Sequence, residues 1–224
     1  MRQPVRSETW FNDYVFSVTD FLSTKECDQY IQISEDIGYE EALVTFAQDT
    51  GRKATTEKQV GQVHMPQVRN NQRVMFKSFE IAEFLWERAS DFVPVQYDDR
   101  TAIGCNEMLR FYRYDIGQRF NWHQDFPYER DNGEKSLWTL MIYLSDQCEG
   151  GETSFEDSYS EESFEDLQVT PQKGMALFFE HSVHHKGEPV HAGRKYVLRT
   201  DVMYSAASDD EYDSYDQDDD DENY

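Results

Sequence analysis

Nowhere does the chain run apolar for the roughly 20 residues that a membrane-crossing helix needs, so no membrane partner is expected. The N-terminal segment Met1 to Thr9 is polar and lacks the apolar stretch of a secretory signal, and a soluble, cytoplasmic protein is expected. Cysteine is scarce. Cys27, Cys105 and Cys148 are odd in number and far apart, which offers neither a disulfide framework nor the clustered thiolates of a structural zinc site, and fits a reducing compartment. Positive charge is the other shortage, with 21 basic against 45 acidic side chains and a net charge of -24. Phosphate backbones would be repelled by such a surface, so a nucleic-acid partner is not expected.

Part of the negative charge is concentrated at the end. Residues 208–224 carry ten acidic and no basic side chains, so the rest of the chain holds -14 of the -24. A segment that repels itself and has little apolar surface to bury is expected to be disordered, serving solubility or contacting a basic partner. The remaining residues 1–207 suffice for a single domain, and an aromatic content of 15% fills a sizeable core.

Within that domain the first part, residues 10–95, carries the helical signals. Tyr14 to Val18 reads as an early strand. Ser23-Thr24-Lys25-Glu26 is a capping box opening a helix striped by Cys27, Tyr30 and Ile31, and Gly38 can close it. Residues 40–67 are polar and irregular, and the turn-rich stretch Asp49 to Lys53 has the character of a mobile lid or a surface loop. Ile81, Ala82, Leu85, Ala89 and Phe92 repeat at helical spacing over residues 78–92, with Pro94 just beyond.

After Ile103 the pattern turns to strands: Met108 to Tyr114, Trp138 to Leu144, Met175 to Phe179 and Lys195 to Tyr204. Helices followed by a run of strands predict an α+β, mainly β architecture, with the helices packed on one outer face of an antiparallel sandwich. Between Glu149 and Asp166 lies an acidic loop, either solvated or able to steer a basic peptide.

The chemistry sits in His123-Gln124-Asp125. Side chains at i and i+2 of a strand share a face, so His123 and Asp125 can hold one ion together. A third ligand from afar completes a facial triad, and two histidines with one carboxylate are the donor set of non-haem Fe(II) oxygenases. Four histidines crowd the later stretch: His181, His184, His185 and His191. His185 opens His185-Lys186-Gly187-Glu188-Pro189-Val190 and has Lys195 ten residues on; His184 has Arg194 at that interval and remains the alternative. His181 and His191 read as surface loop residues, and His64 has no partner in sequence. On the last strand Lys195, Val197, Arg199 and Asp201 share a face. A buried ammonium there calls for an anion, and Arg199 either holds a substrate group or pairs with Asp201 or another acid. Trp122, Leu177 and Phe179 are candidates for a dry wall around the site.

These segments, in order with Tyr114 to Trp122, Gly150-Gly151-Glu152-Thr153-Ser154-Phe155 and Gly174 to Phe179, resemble the 2-oxoglutarate/Fe(II) dioxygenases of the prolyl 4-hydroxylase alpha-subunit type. The resemblance is strong over residues 106–204. It implies a double-stranded β-helix, or jelly roll, over residues 103–204, with the N-terminal helices as support. It implies Fe(II) on His123, Asp125 and His185, and 2-oxoglutarate as co-substrate with its distal carboxylate on Lys195 and Tyr143 and its metal-bound end near Tyr114. Ascorbate belongs with the family as an accessory, although no residue here calls for it. Arg69 and Asn71, in a polar segment resembling one near the active-site mouth, join Arg199 as candidate substrate contacts. The implied activity is hydroxylation of a C–H bond, foremost that of a prolyl residue in a peptide or protein, with release of succinate and CO2. An oxygenase acting on a free amino acid or another side chain, and a non-catalytic metal-binding module, stay open as alternatives.

Overall fold

The computed structural model describes residues 4–11, 13–48, 59–156 and 167–207. The tip of the expected lid at 49–53, most of the acidic loop and the acidic tail from Ser208 lie outside the described residues. The chain enters through strands β1 (Val5–Trp10) and β2 (Val15–Thr19) and then forms helix α1 (Thr24–Ile37). Strands β3 (Glu40–Glu41), β4 (Val44–Gln48), β5 (Gln59–Val63) and β6 (Gln72–Lys77) lead to helix α2 (Phe79–Ala89). The remainder is β: β7 (Gln96–Tyr97), β8 (Arg100–Cys105), β9 (Met108–Tyr114), β10 (Phe120–His123), β11 (Lys135–Tyr143) and β12 (Cys148–Gly150). It continues through β13 (Thr153–Glu156), β14 (Leu167–Val169), β15 (Ala176–Glu180), β16 (His184–Gly187), β17 (Val190–Gly193) and β18 (Lys195–Tyr204).

The strands assemble into an antiparallel ten-stranded sheet along β1-β2-β15-β11-β18-β9-β6-β3, with β8 also on β18 and β7 on β8. A four-stranded sheet, β10-β16-β13-β14, and the pair β12-β17 complete the second layer, while β4 pairs with β5. This is a jelly roll with both helices on the large sheet, as the sequence predicts. Two differences stand out. The described residues of the stretch 40–67, expected to be irregular, include a strand pair, in which β4 runs against β5 and Val44 pairs with Val63. The support region also adds β2, β3 and β6 to the main sheet, because a jelly roll edge left unpaired would expose its backbone donors and acceptors.

Local signals place the helices. The Ser23 hydroxyl accepts the Glu26 N–H at 3.3 Å and the Glu26 carboxylate accepts the Ser23 N–H at 2.7 Å, so two of the helix's unpaired donors are satisfied reciprocally. Glu26 then takes both terminal nitrogens of Arg88, which ties α1 to α2. At the far end Gly38 turns at φ +94°, open to a residue without Cβ, and its N–H reaches the Ser34 carbonyl.

The central strands bury both faces, and alternation assigns each residue to a side. Phe111, Leu140, Phe178 and Leu198 pack toward the helices with Phe16, Phe21 and Leu85. Their neighbours Tyr112, Leu177, Phe179 and Val197 point the other way, into a second core with Tyr143 and Phe155. The second core lines the site. Phe111→Ala, with no solvent exposure to start from, should cost about 3–5 kcal/mol in chemical denaturation. Phe79→Ala, at 72% exposure, should stay within about 0.5 kcal/mol of wild type.

Candidate metal centre

His123 and His185, remote in sequence, are direct partners across the β10–β16 ladder. Antiparallel pairing therefore sets the two imidazoles side by side, with ring centroids 4.2 Å apart. Each ring is oriented by its own backbone: Nδ1 of His123 donates to the Asn121 carbonyl at 2.7 Å and Nδ1 of His185 to the Val183 carbonyl at 3.0 Å. Both Nε2 atoms are left free to bind an ion. Burial lowers the pKa of both rings, and for His123 the neighbouring His185 lowers it further, so both are neutral as ligands must be.

Asp125 lies two residues past the end of β10, so its placement does not come from the ladder. Its N–H donates to the His181 carbonyl at 3.0 Å, and its carboxylate accepts the Thr139 hydroxyl at 2.5 Å and Arg199 Nη1 at 2.8 Å. Burial alone would raise its pKa, but the Arg199 guanidinium in contact holds it well below the usual carboxylate range. One ligand atom from each of His123, Asp125 and His185 lies within 4.8 Å of the others, the one such group among the described residues. Two imidazole nitrogens and one carboxylate oxygen, with no thiolate, suit Fe(II) and leave adjacent positions for other ligands.

A buried cation lies on the same interior strand face as Arg199. Lys195 is buried, its Cα paired with that of Tyr114, and its ammonium lies 5.3 Å from the Tyr114 ring and 5.2 Å from that of Tyr143. The Gly151 carbonyl accepts from it at 2.6 Å. That approach needs glycine: Gly151 sits at φ +72°, and a Cβ there would come within 3.2 Å of both Lys195 Cδ and Val190 Cγ2. Burial pushes the ammonium pKa down to about 8, against a smaller upward pull from Cys148 and Glu152. The Tyr143 hydroxyl donates to Thr153 Oγ1 at 2.6 Å, and burial keeps both Tyr143 and Tyr114 neutral. A buried ammonium held by a carbonyl suits an anionic ligand.

The structure chooses between the two histidine registers. His184 faces out, bonded to Glu156 at 2.6 Å, and Arg194 pairs with Asp115 at the surface. Only His185 and Lys195 turn inward. His191 is exposed as expected, but His181, expected in a surface loop, is 3% exposed because β15 carries it under Leu137, and neither ring nitrogen has a hydrogen bond. His64 contacts Glu41 at 3.2 Å. Trp122 does not belong to the dry wall: by alternation it points away from His123 and sits beside His184 with Lys186 over its ring. Leu177 and Phe179 are buried on the site side, and Phe179 stands 4.6 Å from His185.

Arg69 and Asn71 are buried rather than at an open mouth. Arg69 Nε donates to Asn71 Oδ1 at 2.7 Å, and the guanidinium stacks on Tyr112 and Phe120. Arg199 is paired, as expected, with Asp201, and also with Asp125. Phe120, stacked 3.6 Å from the His123 ring, and Thr139 are functional neighbours that motif spacing did not reveal. A hydroxyl in the apolar run of β11 was the available signal for Thr139.

A sequence model of the 2OG-Fe(II) oxygenase superfamily matches residues 109–200, which hold the triad and Lys195. That segment of the chain is similar to the 2OG-Fe(II) oxygenase superfamily. Its relatives include the probable prolyl 4-hydroxylase 8 of Arabidopsis thaliana, 32% identical over 52% of this chain and 47% of that protein. Prolyl 4-hydroxylase 5 of the same plant is 26% identical over 79% of this chain and 64% of its own length. The chain thus spans about half to two thirds of the length of these relatives. Among solved structures, a viral collagen prolyl hydroxylase from Paramecium bursaria Chlorella virus-1 aligns with TM-score 0.56 at 20% identity, over 86% of this chain and 96% of that one. A Trichoplax adhaerens prolyl hydroxylase, solved with a hypoxia inducible factor peptide fragment, aligns with TM-score 0.58 at 14% identity, over 84% and 83%. Such likenesses show the shared jelly-roll fold.

Two outcomes test the site. Saturating Mn(II) should raise the unfolding midpoint of wild type and His184→Ala alike and leave that of His185→Ala unmoved in thermal denaturation. In calorimetric titrations of the Mn(II)-loaded protein, 2-oxoglutarate affinity should hold below pH about 8 and fall roughly tenfold per unit above it, as the Lys195 ammonium loses its proton. Lys195→Ala should remove that pH dependence together with about 2–5 kcal/mol of binding.

Proposed function

We propose that the chain is a 2-oxoglutarate- and Fe(II)-dependent dioxygenase that hydroxylates a C–H bond of a prolyl residue in a peptide or protein. The observation that carries this is that one interior layer holds both the triad and the buried Lys195, the two groups that the ends of a short diacid would need. Fe(II), when bound, supplies activation of dioxygen, and overall one oxygen atom enters the substrate C–H bond while the other leaves in succinate as 2-oxoglutarate loses CO2.

The protein's own part is placement and exclusion of water. The two Nδ1–H bonds fix the imidazoles, Lys195 with Tyr143 and Tyr114 orients the diacid, and Leu177, Phe155 and Phe179 keep the interior dry. Arg69, bonded to Asn71 and with one terminal nitrogen lacking a partner, is the cation with a donor to offer substrate, while Arg199 is paired with Asp125 and Asp201. The prolyl substrate is supported by the plant relatives' names and by the peptide held in the Trichoplax adhaerens structure. The free thiols Cys27, Cys105 and Cys148 support a reducing, cytoplasmic location.

Incubation with Fe(II), 2-oxoglutarate and a panel of proline-rich peptides should yield peptides heavier by one oxygen atom, in step with succinate. His123→Ala should give neither. Succinate formed with a small metabolite while every peptide stays unmodified would falsify the prolyl assignment, and equal succinate from both proteins would remove the enzyme altogether.

A further inference from the structure

The two oxygens of Asp125 are treated differently. Oδ2 is the oxygen on the ion side, 3.9 Å from His185 Nε2, and it takes the Thr139 hydroxyl. Oδ1 is occupied by Arg199 Nη1 at 2.8 Å. Behind it, Arg199 Nη2 bonds Asp201 Oδ1 at 3.1 Å, and Asp201 Oδ2 takes Arg110 Nη1 at 2.8 Å. Four charges alternate in a row: Arg110, Asp201, Arg199, Asp125.

That row is an expensive way to build a sheet. Arg110 and Arg199 are direct cross-strand partners on β9 and β18, where like charges repel. Asp125 and Asp201 are both buried, and well-packed apolar side chains would serve stability as well or better. The row is also rigidly mounted, since the Asp201 carbonyl accepts the Asn106 N–H at 2.8 Å and the Asp125 N–H is held by His181. A costly arrangement held this firmly, and aimed at one oxygen of a ligand, points to a task at the metal.

A carboxylate can grip a cation with one oxygen or with both. A facial triad leaves three positions, two for a chelating 2-oxo acid and one for dioxygen, and a second oxygen from the aspartate would take one of them. We propose that Arg199 is a positioning residue that occupies Oδ1 of Asp125, holds the carboxylate to single-oxygen coordination through Oδ2, and so keeps a coordination position open for the 2-oxo acid. This rests on the oxygenase function proposed above.

The test uses the full chain with Mn(II), which binds the same donors without turnover, and measures Mn(II) affinity, 2-oxoglutarate affinity of the loaded protein, and unfolding midpoint. Arg199→Met removes the clamp. Arg199→Gln is too short to span to Asp125 but keeps a donor for Asp201, which makes it the variant to use if the methionine protein does not fold. Expected in either is Mn(II) affinity within about threefold of wild type or tighter, with 2-oxoglutarate affinity weakened at least about tenfold. Unchanged 2-oxoglutarate affinity overturns the clamp, and so does an equal fall in both affinities together with the midpoint, the pattern of a purely structural role. Wild-type protein that binds no Mn(II) overturns the oxygenase function itself, which separates that failure from a failure of the clamp.

Discussion

A carboxylate kept charged in a dry interior is the constraint around which this molecule is organised. Asp125 is buried, and desolvation of a lone carboxylate would drive it to protonate and lose its value as a ligand. Arg199 and the Thr139 hydroxyl prevent this, and they come from different strands. The sheets must therefore close correctly for the charge to be tolerated, and once they do, the aspartate is fixed in place by the bonds that stabilise it. Stability of the ligand and geometry of the site are the same set of contacts.

The opposite arrangement holds at Lys195. Here a cation is buried against a carbonyl and two rings, and burial lowers its pKa. The interior thus contains one acid that is over-satisfied and one base that is under-satisfied. A metal ion bridges naturally to the first and a carboxylate to the second, which is why a short diacid with one end on the ion suits the cavity. The glycines at 150 and 151 belong to this design, because their left-handed backbone lets the β12–β13 loop approach the lysine stem.

Much of the site was legible because strands convert sequence parity into sides. The face shared by Lys195, Val197, Arg199 and Asp201 is the interior face, and the apolar runs of β9, β11, β15 and β18 are buried on both sides as their composition implies. Trp122 shows the same rule misapplied: next to His123, it had to point away. His181 was misjudged for another reason. A polar residue after an apolar strand resembles a loop signal, and only the return of β15 beneath Leu137 buries it.

What the sequence by itself determined is the inventory and its periodicity: a His-x-Asp, a later histidine with a lysine ten residues on, helix caps, and strands long enough for two layers. Local chemistry fixes these, since caps, alternation and donor type depend on neighbours along the chain. Tertiary structure alone decided that His123 and His185 are cross-strand partners, that Phe120 covers one ring, and that Arg199 reaches past Asp201 to Asp125. Those are distances between residues far apart in sequence, set by the register in which two sheets close, and no pattern of near neighbours encodes them.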